Sequence, residues 1–191
     1  SLPKSVQAME RFGLFRDTEK ADFFIGFIAG VLNQNPKMAD RLIKGMFPMP
    51  PKEQAVIVKA IAWSGLSHWP TLLRRYADKM PERKALIEDY LSGKESTLLR
   101  MPLENGTSVI YALWGFYVAT GRYEPVERII PALTWARGAQ EKEGYFRRQW
   151  NAAFDWSDGK DDLNKATIGG TAKWTLVTHA ERDRELVDYY R

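Results

Sequence analysis

Prolines at the start of helical apolar patterns are the feature that most constrains how this chain can fold. They occur at Asn35-Pro36, Trp69-Pro70, Met80-Pro81 and Glu124-Pro125. Proline is compatible with the first turn of a helix, where its missing N–H would have no partner, but it ends any helix before it. The sequence therefore predicts short helices that are joined by tight turns.

The spacing of apolar residues between these prolines is helical. One helix is predicted from Asp17 or Thr18 to about Leu32, with a wide apolar face formed by Phe23, Phe24, Phe27, Ile28 and Val31. Residues 109–120 are apolar on nearly all sides, which is typical of a central helix. No pair of segments alternates as strands do. We predict an all-α fold, an irregular and α-solenoid-like stack of antiparallel helical hairpins with about nine or ten helices and no sheet.

The sequence also predicts the elements of the C-terminal third. A polar segment, 155–164, is predicted to precede a last long helix from about Ala166 to Glu181, and Asp183 is predicted to cap a terminal turn. Gly169-Gly170 is expected to allow close approach of another helix. The apolar positions that define the long helix recur at steps of four: Ile168, Ala172, Leu176 and Ala180.

Breaks in the helical pattern suggest the domain organisation. The run 47–51 contains three prolines and is predicted to be an extended linker, in preference to a proline-rich ligand. Pro131 is expected to kink or restart its helix. The length suits a single domain, 1–191. Residues 94–106 lack periodicity and predict a boundary between N-terminal hairpins, 1–93, and C-terminal hairpins, 107–191.

Composition excludes several classes of function. The chain has no cysteine, so disulfides, thiolate catalysis and cysteine zinc sites are absent. Its 28 basic and 24 acidic residues are interspersed, and the net charge of +4 makes nucleic-acid binding a weak alternative. We predict no transmembrane segment, because no apolar run approaches the ~20 residues that span a bilayer. No secretion signal is visible at the N-terminus, and the compartment and oligomeric state stay undetermined.

Motifs for catalysis, metals or cofactors are not recognisable. The two histidines, His68 and His179, lack partners at a known spacing, so we predict no metal site and no cofactor. A small hydrolase or lyase with a helical pocket near either histidine is the alternative function. The acidic residues around Gly159 fail the spacing of a calcium loop and indicate a solvated loop: Asp155, Asp158, Asp161 and Asp162.

A binding surface is the remaining candidate. Aromatic residues make up 13% of the chain, and Trp, Tyr and Arg are enriched at binding hot spots. The leading hypothesis is a non-enzymatic helical module that binds a protein or peptide. Its predicted binding residues lie near turns or helix ends: Trp69, Trp135, Tyr145, Arg147, Arg148 and Trp150.

Residues 110–133 resemble one tetratricopeptide unit. The positions that match are Tyr117, Gly121, Tyr123, Ile130 and Leu133, whereas Trp114, Val126 and Pro131 depart from the family pattern. The resemblance covers about one eighth of the chain and implies a helical hairpin of a kind used for protein binding. The segments 113–121 and 172–176 are also similar to uncharacterised bacterial helical proteins, and this similarity implies no activity.

Overall fold

The computed structural model describes residues 1–16, 18–136 and 156–189, with only the backbone described for 18–20 and 156–162. Within these ranges the chain forms ten α-helices and no strand, so the all-α prediction is confirmed. The helices are α1 (Leu2–Arg11), α2 (Thr18–Gln34), α3 (Ala39–Lys44), α4 (Ala55–Trp63), α5 (Trp69–Tyr76), α6 (Lys84–Leu91), α7 (Thr107–Thr120), α8 (Glu124–Ile129), α9 (Trp156–Ala180) and α10 (Arg184–Tyr189).

Most of the prolines act as the sequence predicts, but Pro36 does not open a helix, because residues 36–38 form a turn and α3 begins only at Ala39. Pro70 and Pro125 each occupy the second position of a helix, α5 and α8. Pro51 and Pro81 open short 3₁₀ turns that lead into α4 and α6. At Pro131 the chain forms a 3₁₀ turn, Ile130–Ala132, and residues 133–136 are helical again, which confirms the predicted restart.

Two glycines end helices where the sequence places the ends. Gly65 follows α4 with φ of +69°, and Gly121 follows α7 with φ of +66°. This left-handed conformation costs side-chain-bearing residues free energy, whereas glycine adopts it readily. The N–H of Gly121 donates to the carbonyl oxygen of Tyr117, and this bond closes the last turn of α7.

The buried face of α2 differs from the predicted one. Ile25, Ile28 and Leu32 are buried, whereas Phe23, Phe24 and Phe27 are only half-buried. The reason is that two neighbours pack on α2, namely α4 and α7. On α2, Gly26 and Gly30 lie against α7. The predicted apolar face is therefore confirmed at Ile28 and wrong at the three phenylalanines, which are not fully buried.

Glycines bring α2 and α7 into backbone contact. A Cβ added at Gly26 would lie 2.7 Å from the carbonyl carbon of Ala112, and one at Gly115 would lie 2.7 Å from the amide nitrogen of Phe27. Gly30 is similarly close to α7, with 3.0 Å from its would-be Cβ to the carbonyl oxygen of Phe116. Any side chain at these positions would force the helices apart.

The long C-terminal helix begins earlier than predicted. α9 starts at Trp156, so most of the segment 155–164 is helical and the predicted solvated loop was wrong. Polar residues cost at most about 0.7 kcal/mol each in a helix, so a polar segment can form the first turns of a helix whose later turns are packed. The predicted cap is confirmed, because the N–H of Leu186 donates to Asp183 Oδ1 at 3.2 Å, at the start of α10.

The chain divides into two compact units. Unit 1 comprises 1–101 and 111–125, and unit 2 comprises 102–110 and 126–191. The single-domain assignment and its boundary at 94–106 stay predictions. In the described part of the chain, no helix has both the length and the apolarity that crossing a membrane requires.

Candidate functional site

A row of exposed apolar side chains follows one face of α9, in unit 2. Leu163, Trp174 and Val177 are 64%, 62% and 53% exposed. Thr167 and Gly170 are also exposed and lie between them on the same face, so the five positions recur at intervals of four, three, four and three residues. We call these five residues the outer stripe. At 1.5 Å per residue it is about 21 Å long.

The opposite face of α9 is buried. Ile168 and Ala172 are fully buried, and Thr175 is nearly so. The hydroxyl of Thr175 donates to the carbonyl oxygens of Thr171 and Ala172, at 2.8 and 3.1 Å, so its polar group is satisfied within the helix. The helix therefore has two apolar faces. One belongs to the core of unit 2, and the other, the outer stripe, is open to solvent.

Glycines distinguish the two faces. A Cβ at Gly169 would lie 2.8 Å from the carbonyl carbon of Trp135 and 3.0 Å from the carbonyl oxygen of Ala132, whereas a Cβ at Gly170 would meet nothing within 4 Å. The predicted close helix approach is thus confirmed at Gly169. It is wrong for Gly170, which forms an open step in the middle of the outer stripe.

The predicted binding residues are only partly described. Trp69 and Trp135 are both half-buried, and they belong to unit 1 and unit 2 respectively. Lys165 Nζ lies 6.0 Å from the centroid of the Trp135 ring, in a cation–π arrangement. The other four predicted residues, Tyr145, Arg147, Arg148 and Trp150, lie outside the described residues. The predicted surface stays a prediction.

A polar network connects three helices of unit 1. Lys59 Nζ on α4 lies 3.8 Å from Asp22 Oδ1 on α2 and 5.4 Å from the centroid of Trp63. Trp63 Nε1 donates to Tyr90 Oη on α6 at 3.0 Å. Burial raises the pKa of the Asp22 carboxyl, although the charge of Lys59 opposes this shift. Burial also raises the pKa of Tyr90, so its phenol stays protonated and donor-competent.

A second network is centred on Tyr76. Its hydroxyl donates to the backbone oxygen and Oδ1 of Asp40, at 2.9 and 3.1 Å, and Arg75 Nη1 donates to the same Oδ1 at 2.7 Å. The Arg75 hydrogen bond lowers the pKa of Asp40, and burial raises the pKa of Tyr76 to about 12. Phe47 stacks on the Tyr76 ring, with 5.8 Å between centroids.

Two arginines of unit 1 form hydrogen bonds within the fold. Arg75 is bonded to Asp40, and Arg83 donates twice to the carbonyl oxygen of Pro51, at 3.1 and 2.8 Å. Arg75 and Arg83 therefore each contact another part of unit 1. Arginines engaged in this way contribute less to a phosphate-binding footprint.

The histidines do not share an environment. His68 is exposed just before α5, and His179 is half-buried in the last turn of α9. Burial lowers the pKa of His179, and Arg182 adds to the effect while Asp183 opposes it. Among the described residues, no three His, Asp or Glu side chains are grouped so that they could hold a metal ion. The hydrolase or lyase alternative stays a prediction.

Sequence reasoning missed the outer stripe because it followed the apolar residues at 168, 172, 176 and 180, which mark the other side of α9. Leu163, Trp174 and Val177 are separated by 11 and 3 residues, which correspond to about three turns and slightly less than one turn of a helix, so they share one face. This second periodicity was visible in the sequence. Periodicity alone does not reveal which of two apolar faces is covered.

No protein-family model matches this chain, and no curated protein or solved structure is similar to it. The tetratricopeptide-like resemblance of residues 110–133 therefore stays a prediction.

Proposed function

We propose that this chain is a helical interaction module that binds a protein through the outer stripe of α9. The observation behind the proposal is the exposure of Leu163, Trp174 and Val177 in one row on a regular helix. Single exposed apolar residues are common on protein surfaces, whereas large apolar residues that share one helix face, with Trp174 and Val177 one turn apart, favour a binding face.

The chemistry of the row supports a protein partner. Trp is the residue most enriched at binding hot spots, and here it is flanked by aliphatic side chains on a rigid helix. The sequence contains no acidic residue between 163 and 180, and Lys165 and Lys173 are exposed beside the row. An amphipathic helix laid along the stripe, with acidic residues at its margins, would match this surface.

Photocrosslinking at the stripe tests the proposal. A photoreactive phenylalanine analogue replaces Trp174 in one variant and Glu185, an exposed residue of α10, in a control variant. The protein crosslinked only through position 174 is identified, purified and titrated with the unmodified chain. We expect Trp174→Ala to weaken its binding at least tenfold, because truncating a hot-spot tryptophan costs about 2 kcal/mol or more.

Two controls, one variant and one competition assay, separate this function from the alternatives. His68→Asn combined with His179→Asn should leave the affinity unchanged, because neither histidine belongs to the outer stripe. Binding that falls steeply with salt and is competed by short DNA or RNA would instead indicate phosphate contacts. Equal affinity of the Trp174→Ala variant and the unmodified chain would contradict the proposal.

A further inference from the structure

We infer that unit 1 carries a second binding surface, the basic face, which binds an acidic segment of another protein. The basic face consists of Arg41 and Lys44 on α3, Arg75 on α5 and Lys79 just after α5. The partner is defined by its charge, as an exposed run of Asp and Glu carboxylates. The basic face belongs to unit 1 and the outer stripe to unit 2, so either surface can bind a partner without the other.

Positive charge is concentrated in one part of the chain. Residues 35–84 contain ten basic and four acidic residues, a net charge of +6, whereas the other 141 residues carry a net charge of −2. Such an asymmetry indicates an anionic partner for the basic part of the chain. The segment 35–84 lies entirely in unit 1 and includes all the residues of the basic face.

Asp40 connects the cations of α3 and α5. Arg75 and Tyr76, at the end of α5, both donate hydrogen bonds to Asp40, at the start of α3, so this end of α5 lies against α3. Lys44 is close enough to lower the pKa of Asp40 by its charge. Arg41 follows Asp40 directly in the chain, and it is exposed. Three cations are therefore grouped around one carboxylate.

Lys79 is the fourth cation of the group. Its Nζ atom lies 5.3 Å from the centroid of the Phe47 ring and 5.7 Å from the centroid of the Tyr76 ring, in cation–π contacts. The hydroxyl of Tyr76 donates to Asp40 at 3.1 Å. Tyr76 therefore links Lys79 to the cations around Asp40.

The acidic residues of this surface do not neutralise it. Asp40 forms an ion pair with Arg75 at 2.7 Å, and Asp78 is exposed beside Lys79 in the chain. The four cations and these two carboxylates leave a net charge of +2. Within the described part of the chain, Arg41, Lys44 and Lys79 have no carboxylate oxygen within 4.0 Å. Their charge is available to a partner.

Arg75 is suited to bind a carboxylate of the partner. A guanidinium has five N–H donors in one plane, and the bond from Nη1 to Asp40 uses one of them. The Arg75 side chain is 56% exposed, so a partner can reach its other donors. Because Asp40 already holds the guanidinium in place, less side-chain freedom is lost when a second carboxylate binds.

An acidic protein segment fits the basic face better than a nucleic acid does. Proteins that bind single strands stack the bases on exposed aromatic rings, whereas Tyr76 is buried and Phe47 is stacked on it. A duplex is typically held through about six to ten phosphate contacts. The basic face has four cations, and Arg75 is already paired with Asp40.

Fluorescence anisotropy with two labelled peptides tests the inference. Decaglutamate is the acidic probe, and decaglutamine is the neutral control of the same length. In about 50 mM salt we expect the chain to bind decaglutamate with a dissociation constant below about 500 µM, and to leave decaglutamine unbound. The affinity for decaglutamate should fall as the salt concentration rises, because exposed charges are screened.

Charge reversal locates the binding surface. Lys44→Glu combined with Lys79→Glu should weaken the binding of decaglutamate about tenfold, since each change replaces an attraction by a repulsion. The matched control is Arg100→Glu combined with Arg184→Glu, which changes the net charge by the same amount at exposed positions outside the basic face. This control should weaken the binding less than about twofold.

Two single variants test the chemistry of the face with little disturbance of the fold. Arg75→Lys keeps the positive charge but removes the planar set of donors, and it should weaken the binding of decaglutamate about threefold. Arg41→Glu changes an exposed side chain and should weaken the binding by a similar factor. Full affinity of both variants would contradict the assignment of the face.

Other outcomes would also overturn the inference. The first is the absence of decaglutamate binding up to about 500 µM chain. Equal weakening by the two double variants would indicate attraction by net charge alone. Tighter binding of a DNA single strand of similar charge, about ten nucleotides long, would indicate a nucleic-acid surface.

Trp174→Ala separates this inference from the proposed function. The variant should bind decaglutamate as tightly as the unmodified chain does, because Trp174 belongs to the outer stripe. Loss of decaglutamate binding in this variant would place the acidic site on α9 and would refute the basic face. Failure of the basic face leaves the proposed function intact, because photocrosslinking at position 174 tests the outer stripe separately.

Discussion

Two neighbouring glycines of α9 provide a stringent test of the packing described above. Gly169 faces the helical residues 133–136, and Gly170 faces solvent. Because both lie in the interior of the same helix, Gly169→Ala and Gly170→Ala gain the same helix propensity, roughly 1 kcal/mol. The two variants therefore differ only in what the new methyl group meets.

The magnitude follows from the distances. At position 169 the new Cβ would lie 2.8 Å from the carbonyl carbon of Trp135, against a favourable separation of about 3.5 Å, so the neighbouring backbone has to move by roughly 0.7 Å or more. Overpacking of this kind costs typically 1–3 kcal/mol, and more where the obstacle is backbone. We expect Gly170→Ala to raise the free energy of unfolding by about 1 kcal/mol. The free energy of unfolding of Gly169→Ala should be about 2–3 kcal/mol lower than that of Gly170→Ala.

Urea unfolding followed by circular dichroism at 222 nm measures this difference. If the free energy of unfolding falls by about 2 kcal/mol per molar urea, the unfolding midpoints of the two variants should be separated by about 1–1.5 M urea. If both variants shift the midpoint equally, the described contact between Gly169 and the helical residues 133–136 is wrong.

Three further predictions concern the hydrogen bonds and the buried carboxyl. Asp22→Asn should stabilise the protein at pH 7, because burial disfavours the ionised carboxylate. The gain in stability should vanish when the pH is below 3.8, the ordinary pKa of an Asp carboxyl. Urea titrations at pH 7 and below pH 3.8 measure the difference. Trp63→Phe should cost about 1–3 kcal/mol in thermal or urea unfolding, since it leaves the hydroxyl of Tyr90 without its buried donor. Asp183→Ala should cost about 1 kcal/mol and increase amide exchange at Leu186, because the N-terminal cap of α10 is lost.

Each of these has a matched control. Asp40→Asn is the control for Asp22→Asn and should lower the stability at pH 7, because hydrogen bonding to Arg75 lowers the pKa of Asp40. This loss of stability should fade as the pH falls. Adding Tyr90→Phe to Trp63→Phe should cost less than the sum of the single changes. Asp183→Asn keeps a capping oxygen and should be close to wild type. Equal effects of Asp22→Asn and Asp40→Asn, or of Asp183→Ala and Asp183→Asn, would refute the corresponding assignment, as would additive costs of Trp63→Phe and Tyr90→Phe.

Local chemistry explains what could be predicted from the sequence. Prolines 70 and 125 and glycines 65 and 121 act through their own backbone, so their effects on helix boundaries hold in any surroundings. The cap at Asp183 is similarly local. The all-α class followed from these signals together with the helical spacing of apolar residues.

The errors concern choices that tertiary contacts make. In α2 one face carries phenylalanines and another carries glycines. The glycine face packs against α7, because residues without a side chain permit backbone contact. In α9 both faces are apolar, and packing against residues 132–136 decides which one is buried. The outer stripe was missed for this reason, since its exposure depends on what covers the rest of the helix.

The contact between α2 and α7 has a consequence for biosynthesis. Gly26 meets Ala112, 86 positions further along the chain, and unit 1 includes residues 111–125 as well as 1–101. A ribosome adds about 5–20 residues per second, so the first hundred residues wait several seconds for the helix that completes their packing. During that interval the glycine surface of α2 is exposed on the nascent chain. Ribosome-bound chains stalled before α7 emerges should therefore be protease-sensitive, and chains stalled after residue 125 has emerged should be protected.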